Sequence, residues 1–243
     1  MVRKYRPDKN VYEASQERLA FIFENFPRIY ISFSGGKDSG VMLNLVIDYM
    51  RKHGITRKVG LMTLDNEANY EQSLTFMHSI IRKNLDLLDV YWCCLPITLP
   101  CTVSHYAVEW QCWGERDKER WIRPMPPDPY IVNVNNHNMP WFREDMNYDE
   151  FWNDFGEWYA QGERCACLIG IRTAESLNRF RAIMNTRKEM LDGKMWTKKN
   201  GKLVYNVYPI YDWKTEDIWT ANAKFDWEYN TLYDVFYKAG VPV

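Results

Sequence analysis

The stretch IYISFSGGKDSGVMLNLV, residues 29–46, contains seven polar or glycine residues, 34–40, between two apolar runs. The first run, residues 29–33, is short and rich in β-branched and aromatic side chains, which is typical of a buried strand. Beyond the polar residues, Val41, Leu45 and Tyr49 recur at helical spacing, and the pattern ends near Gly54. The sequence therefore predicts a strand, a tight loop over residues 34–39, called the glycine loop below, and a helix.

The glycine loop lies where a strand runs into the start of a helix. There the first backbone N–H groups have no intrahelical acceptor, the helix dipole is positive, and glycine lets the main chain approach an anion closely. We predict that the amides of Gly35, Gly36 and Lys37 bind phosphate oxygens. The hydroxyls of Ser34 and Ser39 would add two further donors.

The spacing of the glycine loop differs from that of a Walker P-loop, G-x-x-x-x-G-K-[ST]. Ile31 stands where the first glycine would be, and Asp38 follows the lysine in place of Ser or Thr. Lys37 supplies a positive point charge. Asp38 is only an acceptor, so we expect it to face away from phosphate, towards a magnesium ion, a water or the helix N-terminus. A cap-like role in the first turn explains Asp38 equally well.

Strands and helices alternate over the rest of the chain. Strands are predicted at residues 59–64, 90–95, 166–171 and 203–210, and helices at 11–26, around 74–81, at 175–185 and from Thr215. This alternation implies right-handed crossovers and a parallel sheet covered on both faces. We therefore predict an α/β fold with a doubly wound, mostly parallel sheet, formed by residues 1–243 as one domain.

Residues 100–160, called the aromatic-rich segment below, contain six of the eleven tryptophans and show little periodicity. We interpret this segment as an insertion packed on the sheet. Packing of loops is the favoured role of its aromatic side chains, because Trp and Tyr bury large areas. A base-stacking or partner-binding surface is the alternative.

The composition limits the classes of partner. The formal net charge is −1 and the isoelectric point is near 6.4, so there is no global basic field, and nucleic acid is neither proposed nor excluded. No apolar run approaches the roughly 20 residues of a membrane span, and the first ten residues lack the apolar core of a secretory signal. We therefore expect a cytoplasmic protein with no membrane partner. The six cysteines form no CxxC pair or zinc spacing, which predicts free, mostly buried thiols.

The segment SFSGGKDS, residues 32–39, resembles the PP-loop of the adenine nucleotide α-hydrolase superfamily, S-G-G-x-D-S after the first strand. That superfamily includes phosphoadenylylsulfate (PAPS) reductases, the small subunit of sulfate adenylyltransferase, GMP synthetase and tRNA-modifying thiolases. The resemblance implies a Rossmann-like fold that binds ATP or an adenylylsulfate (PAPS- or APS-like) and acts at the α-phosphate. It also makes magnesium an expected cofactor.

Two further segments resemble this superfamily, and all three stand in the family's order. CLIGIRTAESLNR (residues 167–179) is similar to G-x-R-x-x-E-S-x-x-R, and YPIYDWKTEDIW (residues 208–219) is similar to P-I-x-D-W-x-x-x-D-I-W. Together they indicate the PAPS-reductase-like branch. Arg172 is then the leading candidate to hold the far end of the anion, because a planar guanidinium can bind two phosphate oxygens. For Arg179, ligand contact and a surface ion pair both remain open.

In this superfamily the adenosine lies along the carboxyl edge of the sheet, where the strand after the PP-loop helix contributes a segment. Residues 63–67 take that position here. We predict that Asp65, in preference to Glu67, meets a ribose hydroxyl or a magnesium ion. A strand-end turn is the alternative for Asp65.

Reductases of this family carry an attacking thiolate in a C-terminal segment similar to E-C-G-I-H, and the given sequence ends at Val243 without it. We expect either a shortened member or different chemistry. Cys165 and Cys167 alternate along a predicted strand, so they could share a cleft, although a buried pair is favoured. The four remaining cysteines match no standard ligand spacing, so we expect no iron–sulfur cluster.

Three functions remain open on the sequence alone. The leading hypothesis is a nucleotidyl transferase or α,β-hydrolase in which Lys37, Asp38 and Arg172 carry the catalysis. The second is sulfonucleotide reduction or sulfotransfer. The third is a catalytically silent adenine-nucleotide-binding module. The chain also resembles a bacterial and phage group that occurs beside ParB-like proteins, which implies a ParB-like partner, and a homo-oligomer stays open.

Overall fold

The computed structural model describes residues 9–101, 105–185 and 187–241. Its strands are β1 (Arg28–Ser32), β2 (Val59–Leu64), β3 (Leu88–Cys93), β4 (Thr98–Pro100), β5 (Glu109–Gln111), β6 (Ile131–Val132), β7 (Cys165–Ile169), β8 (Thr197–Lys199) and β9 (Val204–Val207). Its α-helices are α1 (Val11–Asn25), α2 (Lys37–Lys52), α3 (Glu71–Arg82), α4 (Tyr148–Ala160), α5 (Leu177–Met184), α6 (Thr215–Phe225) and α7 (Leu232–Lys238). Two 3-10 helices lie at Glu115–Arg120 and Leu191–Gly193.

Seven strands form one sheet in the order β6-β3-β2-β1-β7-β9-β8. All neighbours in it are parallel except β8, which pairs antiparallel with β9 at the edge. The chain moves outward from β1 through β2 and β3, and later returns to the other side of β1 with β7. This is the doubly wound, mostly parallel α/β fold that the sequence predicts.

Helices cover both faces of the sheet, and neighbouring side chains in a strand show which helix covers which face. In β3, Tyr91 packs on Phe155 of α4, whereas the next residue, Trp92, stacks on His78 of α3. In β1, Tyr30 likewise contacts α4. The helix α4 therefore lies on one face and α3 on the other, with α2 packed beside α3.

Local sequence explains why the helices begin where they do. The Asn10 side chain caps α1 by accepting a hydrogen bond from the Glu13 amide. The Glu13 carboxylate in turn accepts one from the Asn10 amide. Asn147 and Glu150 form the same capping box at the start of α4. These boxes satisfy backbone N–H groups that the first turn of each helix leaves free.

Several predicted boundaries were wrong. The strand predicted at 90–95 is Leu88–Cys93, because pairing with β2 aligns Val59 with Leu88, and exposed Asp89 hides this start from an apolar pattern. The strand predicted at 203–210 is only Val204–Val207. The edge strand β8 and the helix α7 were missed, since a lysine-rich strand of three residues and a helix of seven carry little periodicity.

The aromatic-rich segment is more regular than the sequence suggests, since it includes the helix α4. Phe151, Phe155 and Tyr159 of α4 are buried against the sheet at helical spacing. All six tryptophans of the segment are buried or half-buried, and none is exposed. Packing is therefore the role that the structure supports for them.

None of the helices within the described ranges is long and apolar enough to cross a membrane.

The close approach of α4 to the sheet can be tested at Gly60 in β2. A Cβ atom there would lie 2.8 Å from both Tyr30 Cβ and Tyr159 Cζ. Gly60→Ala should therefore lower the free energy of unfolding by about 1–3 kcal/mol, as overpacking in cores does. Urea denaturation followed by circular dichroism measures this.

Gly114→Ala is the matched control. Gly114 has φ −64°, and its added Cβ would meet only the flexible end of the Gln111 side chain. We expect its effect to be much smaller. Equal effects of the two variants would show that the fit between α4 and the sheet does not limit stability.

Candidate functional site

The glycine loop lies at the point where the strand order reverses. It follows β1, and the loop after the neighbouring strand β7 begins at Gly170. The strands β2 and β3 lie on one side of β1, and β7 and β9 lie on the other. Ligands of open α/β sheets bind beyond the carboxyl ends of the strands at this kind of reversal. The sheet therefore places the two loops in the position that such folds use for binding.

Gly35 gives the glycine loop its turn. Its φ is +71°, a conformation that side chains with a Cβ atom rarely adopt. An added Cβ would also lie 2.6 Å from Met77 Sδ of α3. Ser34 Oγ and Ser39 Oγ lie 3.0 Å apart, so the two hydroxyls close the loop at its ends. The turn that the sequence predicts is therefore present. Ser39 Oγ also donates to the Gly36 carbonyl at 3.1 Å, and donation by the two hydroxyls to an anion stays a prediction.

The start of α2 offers backbone donors to the same space. Gly36 is the N-cap residue, and no side chain caps the helix there. The first intrahelical amide bond is from Gly40 to the carbonyl of Gly36, at 2.9 Å. The Lys37 amide instead donates to the Tyr233 hydroxyl at 3.2 Å. This helix end has the donor geometry that suits an anion.

Asp38 and Arg172 bind each other. Arg172 Nε donates to Asp38 Oδ1 at 2.7 Å, and Nη2 lies 3.4 Å from Oδ2. Lys37 Nζ is 3.6 Å from the same carboxylate. The Arg172 side chain is only 3% exposed, and its Nη1 donates to the Trp213 carbonyl. The Asp38 carboxylate therefore contacts an arginine and a lysine. Its predicted metal role and the predicted anion contact of Arg172 stay predictions.

Burial dominates the charge state of this pair. It raises the pKa of the Asp38 carboxyl, and the hydrogen bonds and positive charge of Arg172 offset this only in part. A buried carboxylate that loses its guanidinium partner would keep the desolvation cost without compensation. The pair therefore ties the first turn of α2 to the loop after β7.

The loop after β7 is itself held by Glu175 and by a close backbone contact. Glu175 accepts a hydrogen bond from the Arg172 amide at 2.8 Å and forms an ion pair with Arg179. Burial alone would raise the pKa of Glu175, but these hydrogen bonds lower it. A Cβ atom on Gly170 would lie 2.9 Å from Ser39 Cα, so only glycine lets this loop touch α2. Arg179, nearly half-exposed, has the surface ion pair that the sequence left open.

Asp65 lies at the carboxyl end of β2 but is sealed there. It is 2% exposed and accepts hydrogen bonds from Trp92 Nε1 at 2.7 Å and from the Glu67 amide at 2.9 Å. Arg123 Nη2 also binds its carboxylate, at 2.6 Å. Trp92 belongs to β3 and Arg123 to the aromatic-rich segment. The predicted contact of Asp65 with a ribose or a metal stays a prediction. In the structure, Asp65 links β2 to Trp92 and Arg123.

Glu67, two residues after Asp65, also binds the aromatic-rich segment. It is buried at φ +63°, and its carboxylate accepts hydrogen bonds from the amides of Trp113 and Ile122. Arg123 Nε donates to the Glu67 carbonyl at 3.0 Å. Asp65 and Glu67 together fasten residues 113–123 to the edge of the sheet.

The predicted magnesium ligands do not fit that ion well. Mg²⁺ takes carboxylate oxygens together with substrate phosphates, but Asp38 is paired with buried Arg172 and Asp65 with half-buried Arg123. Among the residues that the structure describes, no cluster of three or more His, Cys, Asp or Glu side chains could hold a metal ion. We therefore assign no step to a protein-bound metal.

The six cysteines are free thiols, and all but half-buried Cys101 are buried. Burial raises the pKa of Cys167 to about 12, and it also raises the pKa of Cys165. Cys167 lines a cavity of about 530 Å³ beneath α4, together with Tyr30, Ser32 and Asn206. The prediction that Cys165 and Cys167 are buried is confirmed. Neither is poised as a thiolate at neutral pH.

The segment YPIYDWKTEDIW, residues 208–219, supports the loop after β7. Trp213 is buried, and its Nε1 donates to Ser15 Oγ at 2.9 Å. Asp217 accepts a hydrogen bond from the Lys214 amide at the start of α6. Trp219 makes edge contacts with Tyr229 and Tyr233. These contacts give the segment a structural role.

Two residues of the site were missed by sequence reasoning. Asn230 is buried, and its Nδ2 donates to the Gly35 carbonyl at 2.9 Å and to Ser73 Oγ at 2.8 Å. The Tyr233 hydroxyl accepts a hydrogen bond from the Lys37 amide. Both lie about 195 residues from the glycine loop in sequence. No local pattern links segments so far apart, so only the fold brings them together.

Comparisons with known proteins agree with the resemblance that the motifs predict. Residues 150–239 match the model of the phosphoadenosine phosphosulfate reductase domain family. The chain is 38% identical over 237 residues to the uncharacterized protein YbdN of Escherichia coli K12. The match covers 96% of this chain and 57% of YbdN, so the chain spans little more than half of that relative.

Solved structures match this chain at low sequence identity. One is the FMN adenylyltransferase of Candida glabrata in complex with FMN and the ATP analogue AMPCPP, with a TM-score of 0.54, 14% identity and coverage of 95% of this chain and 64% of that chain. Another is the PAPS reductase of Candida auris in a phosphate complex, with a TM-score of 0.47, 14% identity and coverage of 96% and 93%. The match over residues 150–239 confirms the predicted resemblance to the PAPS reductase domain family, and the FMN adenylyltransferase, with a TM-score above 0.5, confirms the Rossmann-like fold.

The ion pair between Asp38 and Arg172 generates a stability prediction. Arg172→Gln removes one partner of a buried pair and should lower the free energy of unfolding by about 3–5 kcal/mol. Arg179→Gln, which breaks a half-exposed pair on the same loop, should cost about 0–1 kcal/mol. Urea denaturation compares the two. Equal costs would mean that the buried pair does not anchor this loop.

The buried thiols generate a labelling prediction. With iodoacetamide at pH 8, native protein should be alkylated first at half-buried Cys101, while Cys167 should react only after unfolding in guanidinium chloride. Peptide mass spectrometry over a time course measures the order. Rapid alkylation of Cys167 in the native protein would show an accessible, ionised thiol and contradict this assignment.

Proposed function

We propose that this chain, which resembles the phosphoadenosine phosphosulfate reductase domain family over residues 150–239, binds an adenine nucleotide at the glycine loop and acts at its α-phosphate. The glycine loop carries the proposal. Its amides, two serine hydroxyls and the dipole of α2 converge where the strand order reverses. That set of donors suits the oxygens of a phosphate or sulfate group.

The residues divide the proposed binding between them. The amides of Gly35 and Gly36 and the hydroxyls of Ser34 and Ser39 would donate to phosphate oxygens, and Lys37 would supply the mobile positive charge. Lys37 Nζ lies over the Tyr233 ring at 5.1 Å from its centroid, beside the loop. Arg172 would act through Asp38 by holding the first turn of α2 in place.

Catalysis at such a site would consist of positioning and charge neutralisation. Water attack on the α-phosphorus of ATP would break the bond to the bridging oxygen and release AMP and pyrophosphate. The donors at the start of α2 stay fixed throughout, so they would stabilise the charge that develops on the leaving pyrophosphate. The same geometry would serve transfer of the adenylyl group to another acceptor.

Sulfonucleotide chemistry is the second candidate, and the family match favours it. An adenylylsulfate would place its sulfate where ATP places its β-phosphate. The buried thiols count against an internal attacking thiolate, so a reduction would need an external thiol donor. A chain that only binds nucleotide is the third candidate.

One set of experiments tests all three. Calorimetry against ATP, adenylylsulfate and PAPS identifies the preferred nucleotide, and chromatography of the products identifies the reaction. From ATP with magnesium chloride we expect AMP and pyrophosphate. Formation of ADP and phosphate would contradict action at the α-phosphate, sulfite from PAPS with a thiol donor would support reduction, and binding without product would support the third candidate.

Lys37→Ala tests the glycine loop itself. Removal of the ammonium should weaken ATP binding at least about tenfold, because hydrogen bonds between charged groups contribute about 1.5–3 kcal/mol. Lys52→Ala, at the exposed far end of α2, is the matched control and should bind ATP as the unmodified chain does. Equal affinity of all three proteins would place the nucleotide elsewhere.

A further inference from the structure

We propose that Tyr233 is a binding residue for the anion at the glycine loop, with its phenol hydroxyl donating a hydrogen bond to a phosphate or sulfate oxygen. The proposal rests on the proposed function, because it needs an anion at that loop. It adds a side-chain donor from the C-terminal part of the chain to a site that the sequence motifs locate within residues 34–39.

The hydroxyl of Tyr233 lies directly against the loop. Its Oη accepts a hydrogen bond from the Lys37 amide at 3.2 Å. A Cβ atom built on Gly36 would be 3.3 Å from this oxygen and 3.4 Å from Ser34 Oγ. The hydroxyl therefore stands beside the same backbone that the proposed function assigns to phosphate.

The hydrogen of this hydroxyl is the group available to a ligand. A phenol has one O–H donor and an oxygen that can accept, and here the oxygen accepts from the Lys37 amide. Within the described parts of the chain, no side chain or carbonyl accepts the hydrogen in return. The Lys37 amide at the hydroxyl and the Lys37 ammonium over the ring are both donors. A donor among donors is suited to an anion oxygen that accepts from all of them.

The segment that carries Tyr233 is fixed on α2 and α3. Trp227 Nε1 donates to Asp48 Oδ2 at 2.8 Å, and Asn44 Nδ2 donates to the Glu228 carbonyl at 3.2 Å. Asn230 then bonds to the Gly35 carbonyl of the loop. Three anchors within four residues leave the start of α7 little freedom to move away from the loop.

Aromatic neighbours hold the ring of Tyr233 as well. Trp219 of α6 meets it edge-on at 5.8 Å between ring centroids, and Phe236 of α7 does so at 6.2 Å. The Lys37 ammonium lies over its face. A side chain held on these sides gives a preorganised donor, which loses little conformational entropy when the anion binds.

The same contact has a competing interpretation with the opposite sign. Tyr233 could occupy the Lys37 amide in place of a phosphate oxygen, and the anion would then have to displace it. The anchors at Asp48, Asn44 and Gly35 and the aromatic contacts oppose such a withdrawal. If the hydroxyl stays beside the loop, it can stabilise a bound anion only by pointing its hydrogen towards the anion.

Tyr233→Phe tests the proposal, because it removes the hydroxyl and keeps the ring. Calorimetry with inorganic pyrophosphate and with AMPCPP should show affinities for both probes reduced about tenfold or more, as expected for loss of a hydrogen bond to a charged group. Tyr237→Phe is the matched control, since Tyr237 lies on the same helix with 75% of its surface exposed. This control should bind both probes as the unmodified chain does.

The outcomes are distinct. Unchanged or tighter binding by Tyr233→Phe would overturn the proposal, and tighter binding would identify Tyr233 as a competitor of the anion. If the unmodified chain bound neither probe, the proposed function itself would fail. Circular dichroism melts of all variants, with titrations run below the lowest midpoint, ensure that a loss of affinity is not a loss of folded protein.

Discussion

The buried ion pair between Asp38 and Arg172 joins the two halves of the sheet at its point of reversal. Asp38 belongs to the first turn of the helix that follows β1, and Arg172 follows β7, which enters the sheet from the other half of the chain. The spacing of the two loops around the candidate binding site depends on this contact and on the close approach of Gly170 to Ser39. Neither loop is paired to a neighbouring strand, so each depends on these contacts for its position.

The same device recurs along the carboxyl edge of the sheet. After β1, β2 and β9, a carboxylate binds an arginine from a distant part of the chain, and the pairs are Asp38–Arg172, Asp65–Arg123 and Asp212–Arg18. Each pair neutralises an acidic group that would otherwise repel an anion at this edge. The amides at the start of α2 and the Lys37 ammonium add positive charge at this edge, which suits a negatively charged ligand.

The sequence predicts the repeating parts of this structure well and the assembled parts poorly. The glycine loop, β2 and the order of strands and helices follow from local patterns, because tight turns and apolar periodicity are encoded within a few residues. The partner of Arg172 does not, since an arginine at a strand end suits an anion and a carboxylate equally. Asn230 and Tyr233 carry no local signal at all, and the helix α4 was hidden in a segment whose many aromatic residues blur its period.

The buried thiols bear on the choice between the two proposed chemistries. Reduction of a sulfonucleotide needs a thiolate near the anion, but burial raises the pKa of Cys165 and Cys167, the pair in the strand that leads to the Arg172 loop. Attack at an α-phosphate needs no internal nucleophile, only fixed donors and an approach path for water or another acceptor. Asn230 holds the glycine loop at Gly35 and Arg172 holds it at Asp38, which suits the proposed role of its amides as fixed donors. A site built in this way is suited to reactions in which the protein orients phosphates and the substrate itself contributes the leaving group.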